Sequence, residues 1–318
     1  MPDKALFAKF TTSEQMIADN VGKSTSHLSD FWRTKTYVKP EEMVDPSFPS
    51  FDQPYQLGQQ IFGGSWHDYN TVCIFQIAKC NYRCWYCYVD RQLLLGQEAV
   101  DDVQLAHWFT PEEIIGMFKE SGKKVLRLSG GEPTLYPNFM TELARWMIGQ
   151  DSLLWFDTNM STGKDFFEAW EGYFDLHYTS KPHAGIVGCF KGFCSEDAMN
   201  MAGANLDEQF VFAERLIKQR DLEVFFYVPG LVCRGASPSV VKSFFDRMRK
   251  DIDEYAPLRT HVLQIKNYSS TEDQWGRYTQ NINDGRRVVD VWQRLCRDHY
   301  QPEELWLPSH QVKYQYYR

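Results

Sequence analysis

Between Thr71 and Tyr268 the sequence repeats one pattern six times: a short apolar, β-branched or aromatic run, then a segment with helical signals. The runs are TVCIFQIA from Thr71, KVLRLSG from Lys124, SLLWFDTN from Ser152, AGIVGCFKG from Ala184, LEVFFYVPG from Leu222 and HVLQIKNY from His261. Strands that alternate with helices are joined by crossovers, which makes neighbouring strands parallel. Six such units curl into an open α/β barrel, a partial (β/α)6 TIM-like fold, whose catalytic groups gather at the C-terminal ends of the strands.

The helices announce themselves locally. In TPEEIIGMF, Thr110 stands as N-cap, Pro111 at the first helical position and Glu113 three residues after the cap, which together form a capping box. Further on, Val288, Val291, Trp292 and Leu295 recur at the spacing of one buried helix face, which Cys296 joins. The organisation expected is an N-terminal extension over residues 1–70 packed on the barrel, a core over 71–298 and a tail over 299–318. The extension carries Pro40, Pro46, Pro49 and Pro54; the tail carries Trp306, Tyr314, Tyr316 and Tyr317 and is expected to cover an open rim.

Composition excludes several classes. No stretch approaches the roughly eighteen apolar residues of a membrane span, and MPDKALFAKFTTSEQ lacks the apolar core of a secretory signal, so a soluble, cytoplasmic protein is expected. The net charge of −8 argues against a nucleic-acid partner. Arg286, Arg287, Arg294 and Arg297 share one predicted helix with Asp290 and Asp298, which reads as a solvated face. Eight cysteines without a secretory signal point to reduced thiols, burial or metal ligation rather than disulfides.

Three of those cysteines, Cys80, Cys84 and Cys87, fall within KCNYRCWYCYVDR in CxxxCxxC spacing. Zinc would need a fourth ligand, such as His107 or a distant cysteine. A four-iron, four-sulfide cubane ordinarily takes four thiolates, so three leave one iron open to a small chelating molecule.

On these residues the chain resembles the radical S-adenosylmethionine superfamily, with Tyr86 at the signature's aromatic position and GGEP, Gly130 to Pro133, ending the second predicted strand. The resemblance implies a [4Fe-4S] cluster on Cys80, Cys84 and Cys87, and S-adenosylmethionine on the open iron. It also implies that Gly130, Gly131, Glu132 and Pro133 form the turn that holds the methionine amino group: glycines permit close backbone approach, and a carboxylate complements an ammonium. Within the superfamily the chain looks most similar to the glycyl-radical-enzyme activases typified by pyruvate formate-lyase activating enzyme. FDTNM makes Asp157 and Asn159 candidate cofactor contacts, and CFKGF places Lys191 near the methionine carboxylate. Where that branch has a glycine, this chain has Met160.

The implied activity is reductive cleavage of S-adenosylmethionine to a 5'-deoxyadenosyl radical that removes hydrogen from a small-molecule or peptide substrate, with a flavodoxin- or ferredoxin-like reductant. Alternatives are a glycyl-radical activase acting on a protein partner, a tRNA-modifying enzyme, and a non-catalytic iron–sulfur or zinc scaffold. Cys189, on the face of the fourth strand that Val187 and Lys191 share, and Cys233, beyond the fifth strand, are the candidate catalytic thiols. Lys266 and Arg127, at strand ends, are candidate partners for an anionic group; Cys194 and His183 receive no role.

Overall fold

The computed structural model describes residues 3–9, 32–36, 54–89, 91–101, 103–174, 184–219, 222–230, 237–263, 265 and 280–305. Cys233, Lys266, His183, most of the expected N-terminal extension and the tail from residue 306 lie outside them. The six predicted strands are β3 (Thr71–Ile77), β7 (Val125–Gly130), β8 (Leu153–Thr158), β9 (Ala184–Cys189), β10 (Leu222–Pro229) and β11 (Thr260–Leu263). They pair in that order, all parallel, and the sheet stays open.

Two short segments extend the β3 edge. β1 (Ala5–Ala8) and β2 (Trp32–Thr36) both pair antiparallel with β3, at Phe7 opposite Ile77 and over Trp32–Thr36 opposite Phe75–Thr71, and β6 (Ala106–Phe109) pairs with β1. Neither edge segment was legible as a strand, because four or five residues are too few to show a period. A separate two-stranded ribbon joins β4 (Ala99–Val100) to β5 (Val103–Gln104).

Strand alternation divides the core in two. Leu126 and Leu128, Leu154 and Phe156, Ile186, and Val224 and Phe226 face the helices and pack on Phe139, Leu143, Phe166, Trp170, Phe210, Phe244 and Trp292. Those belong to α4 (Pro137–Met147), α5 (Gly163–Phe174), α7 (Leu206–Leu216), α8 (Pro238–Arg247) and α9 (Gln280–His299). The other face holds Val72, Ile74, Val125, Leu153, Trp155, Val187 and Phe225, which cluster with Leu57 and Ile61 of α1 (Pro54–Phe62) and with Tyr69 of α2 (Trp66–Tyr69). An apolar floor therefore closes the concave side at its middle layers, leaving the polar layer of Gln76, Ser129, Asp157, Cys189 and Tyr227 at the C-terminal strand ends.

The local signals read from sequence are present. Thr110 Oγ1 accepts the Glu113 N–H at 3.3 Å and Glu113 Oε2 accepts the Thr110 N–H at 2.7 Å, opening α3 (Pro111–Ser121). Val288 and Trp292 of α9 are fully buried. Among the described residues no helix is long and apolar enough to cross a membrane.

Candidate active site

Cys80, Cys84 and Cys87 lie on the loop that leaves β3, and backbone bonds fix this loop from both sides. On the sheet side, Gly131 N–H donates to Ile77 O at 2.8 Å and Glu132 N–H to Lys79 O at 2.7 Å, so the glycine turn is zipped to the segment that enters Cys80. On the helix side, Arg83 N–H and Trp85 N–H donate to the Ala202 and Met201 carbonyls, both at 3.1 Å, at the end of α6 (Ser195–Ala202). Cys87 N–H closes a turn onto Cys84 O at 3.1 Å.

All three thiols are half-buried, and none is in a disulfide. Burial, reinforced by the Glu132 charge, pushes the Cys80 thiol up to about 11; burial, reinforced by Cys84, pushes Cys87 up to about 12. Thiolate ligation there releases protons, so the loop is assembled for a group that binds sulfur strongly. A cubane takes each thiolate on a different iron. Among the described residues no three His, Cys, Asp or Glu side chains gather as around a single ion. Three sulfur donors on one backbone loop, with no fourth protein ligand gathered to them among the described residues, fit a [4Fe-4S] cluster.

The two glycines are required by contact. A Cβ on Gly130 would run into the Gln76 side chain, and φ there is +89°, a left-handed value that glycine adopts freely. A Cβ on Gly131 would lie on the Lys79 carbonyl, 2.6 Å from its carbon. Pro133 then opens a 3-10 turn, Pro133–Leu135.

Glu132 is held within the fold. Its carboxylate is fully buried and accepts four hydrogen bonds, from Thr134 N–H at 3.1 Å, Thr134 Oγ1 at 2.5 Å, Thr158 Oγ1 at 2.7 Å and Asn159 N–H at 2.5 Å. Burial raises its pKa against the pull of these donors. The carboxylate braces the end of β7 to the end of β8.

Asp157, facing the concave side, accepts from Arg127 Nη2 at 2.7 Å and from Ser129 Oγ at 3.0 Å, both on Oδ2. Ser129 Oγ also meets the Tyr88 hydroxyl at 2.9 Å, which ties this network to the cysteine loop. Asp157 Oδ1 is enclosed and accepts no hydrogen bond among the described residues. Arg127, expected as a partner for an external anion, is thus already committed to a carboxylate. Asn159 Nδ2 lies 3.6 Å from Cys80 Sγ.

Lys191 stands two residues past the end of β9, with its ammonium within electrostatic reach of the loop. Burial alone would lower its pKa, but Cys84, Tyr86, Cys189 and Cys80 around it carry the pKa well above the ordinary lysine value. Tyr86 sits beside Cys84 with its ring edge-on to Trp85, and burial holds its hydroxyl protonated. Cys189, on the concave face, is a neutral thiol, pushed up to about 12 by burial against the pull of Lys191.

Sequence reasoning passed over Gln209. It is fully buried on α7, donates to the Asn159 carbonyl at 2.7 Å and the Cys189 carbonyl at 3.0 Å, and accepts the Lys191 N–H at 3.1 Å. One side chain thereby ties together the ends of β8 and β9. A lone glutamine on a helix leaves no pattern from which this could be read.

Residues 75–178 match the family model described as the Radical SAM superfamily. No curated protein matches the chain. Among solved structures, the chain is similar to Streptococcus suis SuiB bound to S-adenosylmethionine, at 16% identity and TM-score 0.48, over 71% of this chain and 47% of SuiB. It thus spans about half the length of that protein. It is also similar to TYW1 with a lysine-pyruvate adduct bound, at 12% identity and TM-score 0.46 over 90% of each chain, and to archaeal TYW1, at 13% identity and TM-score 0.40 over 77% of this chain and 80% of that one. The family match takes in the cysteine loop, the Gly130–Pro133 turn and the end of β8, and it is over this segment that the chain is similar to the Radical SAM superfamily.

Proposed function

We propose that this enzyme removes a hydrogen atom from a small-molecule or peptide substrate held at the mouth of the barrel. With the cluster on Cys80, Cys84 and Cys87 and S-adenosylmethionine beside it, the cofactors supply a 5'-deoxyadenosyl radical once a flavodoxin- or ferredoxin-like donor provides an electron. The observation that carries the reading is that the Lys191 ammonium lies within electrostatic reach of Cys80, Cys84, Tyr86 and Cys189, at the end of β9 beside the cysteine loop. A fixed cation beside three cluster thiols is suited to the methionine carboxylate, and Asp157 Oδ1 retains an acceptor position on the same concave face.

The apolar floor of the concave side supports this substrate class. Leu57 and Ile61 seal the concave side below Trp155 and Phe225, so the polar layer above them is the floor of a bounded space. Cys189 and Tyr227 line that floor, paired side by side in register. A bounded site suits a small molecule or one residue of a peptide, and the net charge of −8 disfavours an RNA backbone.

The test is anaerobic reconstitution with iron and sulfide, reduction by dithionite, and chromatography for 5'-deoxyadenosine. The parent chain is expected to form it, Cys84→Ala to form none, and Lys191→Met to need at least tenfold more S-adenosylmethionine. A fully loaded cluster that never cleaves S-adenosylmethionine, with candidate substrates present, would sink the proposal.

A further inference from the structure

Asn159 is 5% exposed, and each of its polar groups has a partner. Its Oδ1 accepts the Ser161 backbone N–H at 3.1 Å. A backbone N–H only donates, so this end of the amide is the oxygen and the other end is the nitrogen. Nδ2 then offers its hydrogens to two acceptors, Asn81 Oδ1 at 2.9 Å and Cys80 Sγ at 3.6 Å. Asn81 is turned to receive it, because its own Nδ2 donates to Ser161 Oγ at 2.6 Å.

The backbone of Asn159 is clamped as firmly. Its N–H goes to Glu132 Oε2 at 2.5 Å, and its carbonyl accepts from Gln209 Nε2 at 2.7 Å. Both clamps are fully buried side chains from other elements, the β7 turn and α7. A residue serving only to end a strand would have no use for three elements converging on it, nor for an amide aimed at sulfur.

We infer that Asn159 tunes the iron–sulfur cluster through an N–H to Sγ hydrogen bond to Cys80, with Glu132 and Gln209 as the positioning residues that hold it there. The inference rests on Cys80 being a cluster ligand. A donor beside a thiolate withdraws negative charge from sulfur, which stabilises the reduced, more negative cluster more than the oxidised one. The bond therefore raises the reduction potential and lets a physiological donor load the electron.

The experiment is an EPR-monitored redox titration of the full chain, reconstituted anaerobically, with iron and sulfide counted and no S-adenosylmethionine added. Asn159→Ala and Asn159→Asp are expected to load the parent's iron and to titrate at a more negative potential, Asp further than Ala because it adds charge. A loss of iron with no shift in the loaded fraction would mark a merely structural residue and overturn the inference. So would parent-like potentials in both variants. Should neither variant load, the Asn81→Ala chain carrying ¹⁵N in its asparagine side chains decides: a ¹⁵N coupling to the reduced cluster in pulsed EPR supports the bond, and its absence refutes it. A parent chain that takes up no cluster overturns the cofactor assignment as well, which separates the two failures.

Discussion

Replacing Gly131 by alanine should break the join between the glycine turn and the cysteine loop. The added Cβ would sit 2.6 Å from the Lys79 carbonyl carbon and 2.9 Å from Ile77 O, against ordinary carbon contacts of about 3.5–4.0 Å. These neighbours are backbone, so relief requires the two chains to part by roughly 1 Å. That separation stretches Gly131 N–H to Ile77 O from 2.8 Å and Glu132 N–H to Lys79 O from 2.7 Å beyond hydrogen-bonding range. Two lost bonds, each worth about 1 kcal/mol and more where a group is left unsatisfied, come to about 2–4 kcal/mol. Restricting the unfolded chain returns only about 0.4–1 kcal/mol, and residual overpacking adds about 1–3 kcal/mol. The net expectation is a loss of about 2–7 kcal/mol in urea unfolding of the cluster-free chain. The displaced segment enters Cys80 directly, while Arg83 and Trp85 keep the rest of the loop pinned to α6, so bound iron should fall as well. Gly116→Ala is the control of opposite sign: exposed in the middle of α3 with nothing within 4 Å of the new Cβ, it should stabilise by about 0.5–1 kcal/mol. A Gly131→Ala chain within about 0.5 kcal/mol of the parent and carrying full iron would refute the steric argument.

Glu132→Gln puts an NH₂ among four donors and should cost about 2–4 kcal/mol in the same unfolding assay. Because the folded pKa of Glu132 lies above its unfolded value, its contribution is present below the ordinary carboxylate range and is lost as pH rises through the raised value. The parent should show that slope and the glutamine variant should lack it. Met160 adopts φ +60° and is buried, so Met160→Gly relieves about 1–2 kcal/mol of left-handed strain but forfeits about 2–5 kcal/mol of packing; calorimetry should find the variant less stable. Arg259, 3% exposed, pairs with Glu223 at 2.7 Å and lies 4.3 Å over the Phe225 ring. Arg259→Ala should lower stability by about 3–5 kcal/mol by leaving a buried charge unmatched, and Arg259→Met with Glu223→Gln should recover most of it in a denaturant titration.

What the sequence disclosed about this molecule depended on whether a feature repeats along the chain or meets across it. The six strands were legible because each is a β-rich run bounded by turn residues, and α3 because a capping box is four residues long. The cysteine loop was legible because its CxxxCxxC spacing lies within one segment. Met160 was legible as an anomaly only: sequence marks the missing glycine, while the structure shows that the left-handed conformation is kept. It is anchored by Met160 N–H on Thr158 Oγ1 at 3.0 Å, and the side chain fills the space beside Gly188. Glu132 was assigned from local chemistry, carboxylate to ammonium, which says nothing of its bonds to Thr158 and Asn159, 26 and 27 residues on. Gln209 is the limiting case. Its three bonds reach 18, 20 and 50 residues back, to Lys191, Cys189 and Asn159, and none of them leaves a trace in composition or period. The same holds for the Asn159 amide and the Cys80 sulfur, 79 residues apart. Residues that lie close together in one segment can be read from short motifs because their spacing shows in the sequence; contacts such as that of Asn159 with Cys80 are placed by the fold, and only the fold reveals them.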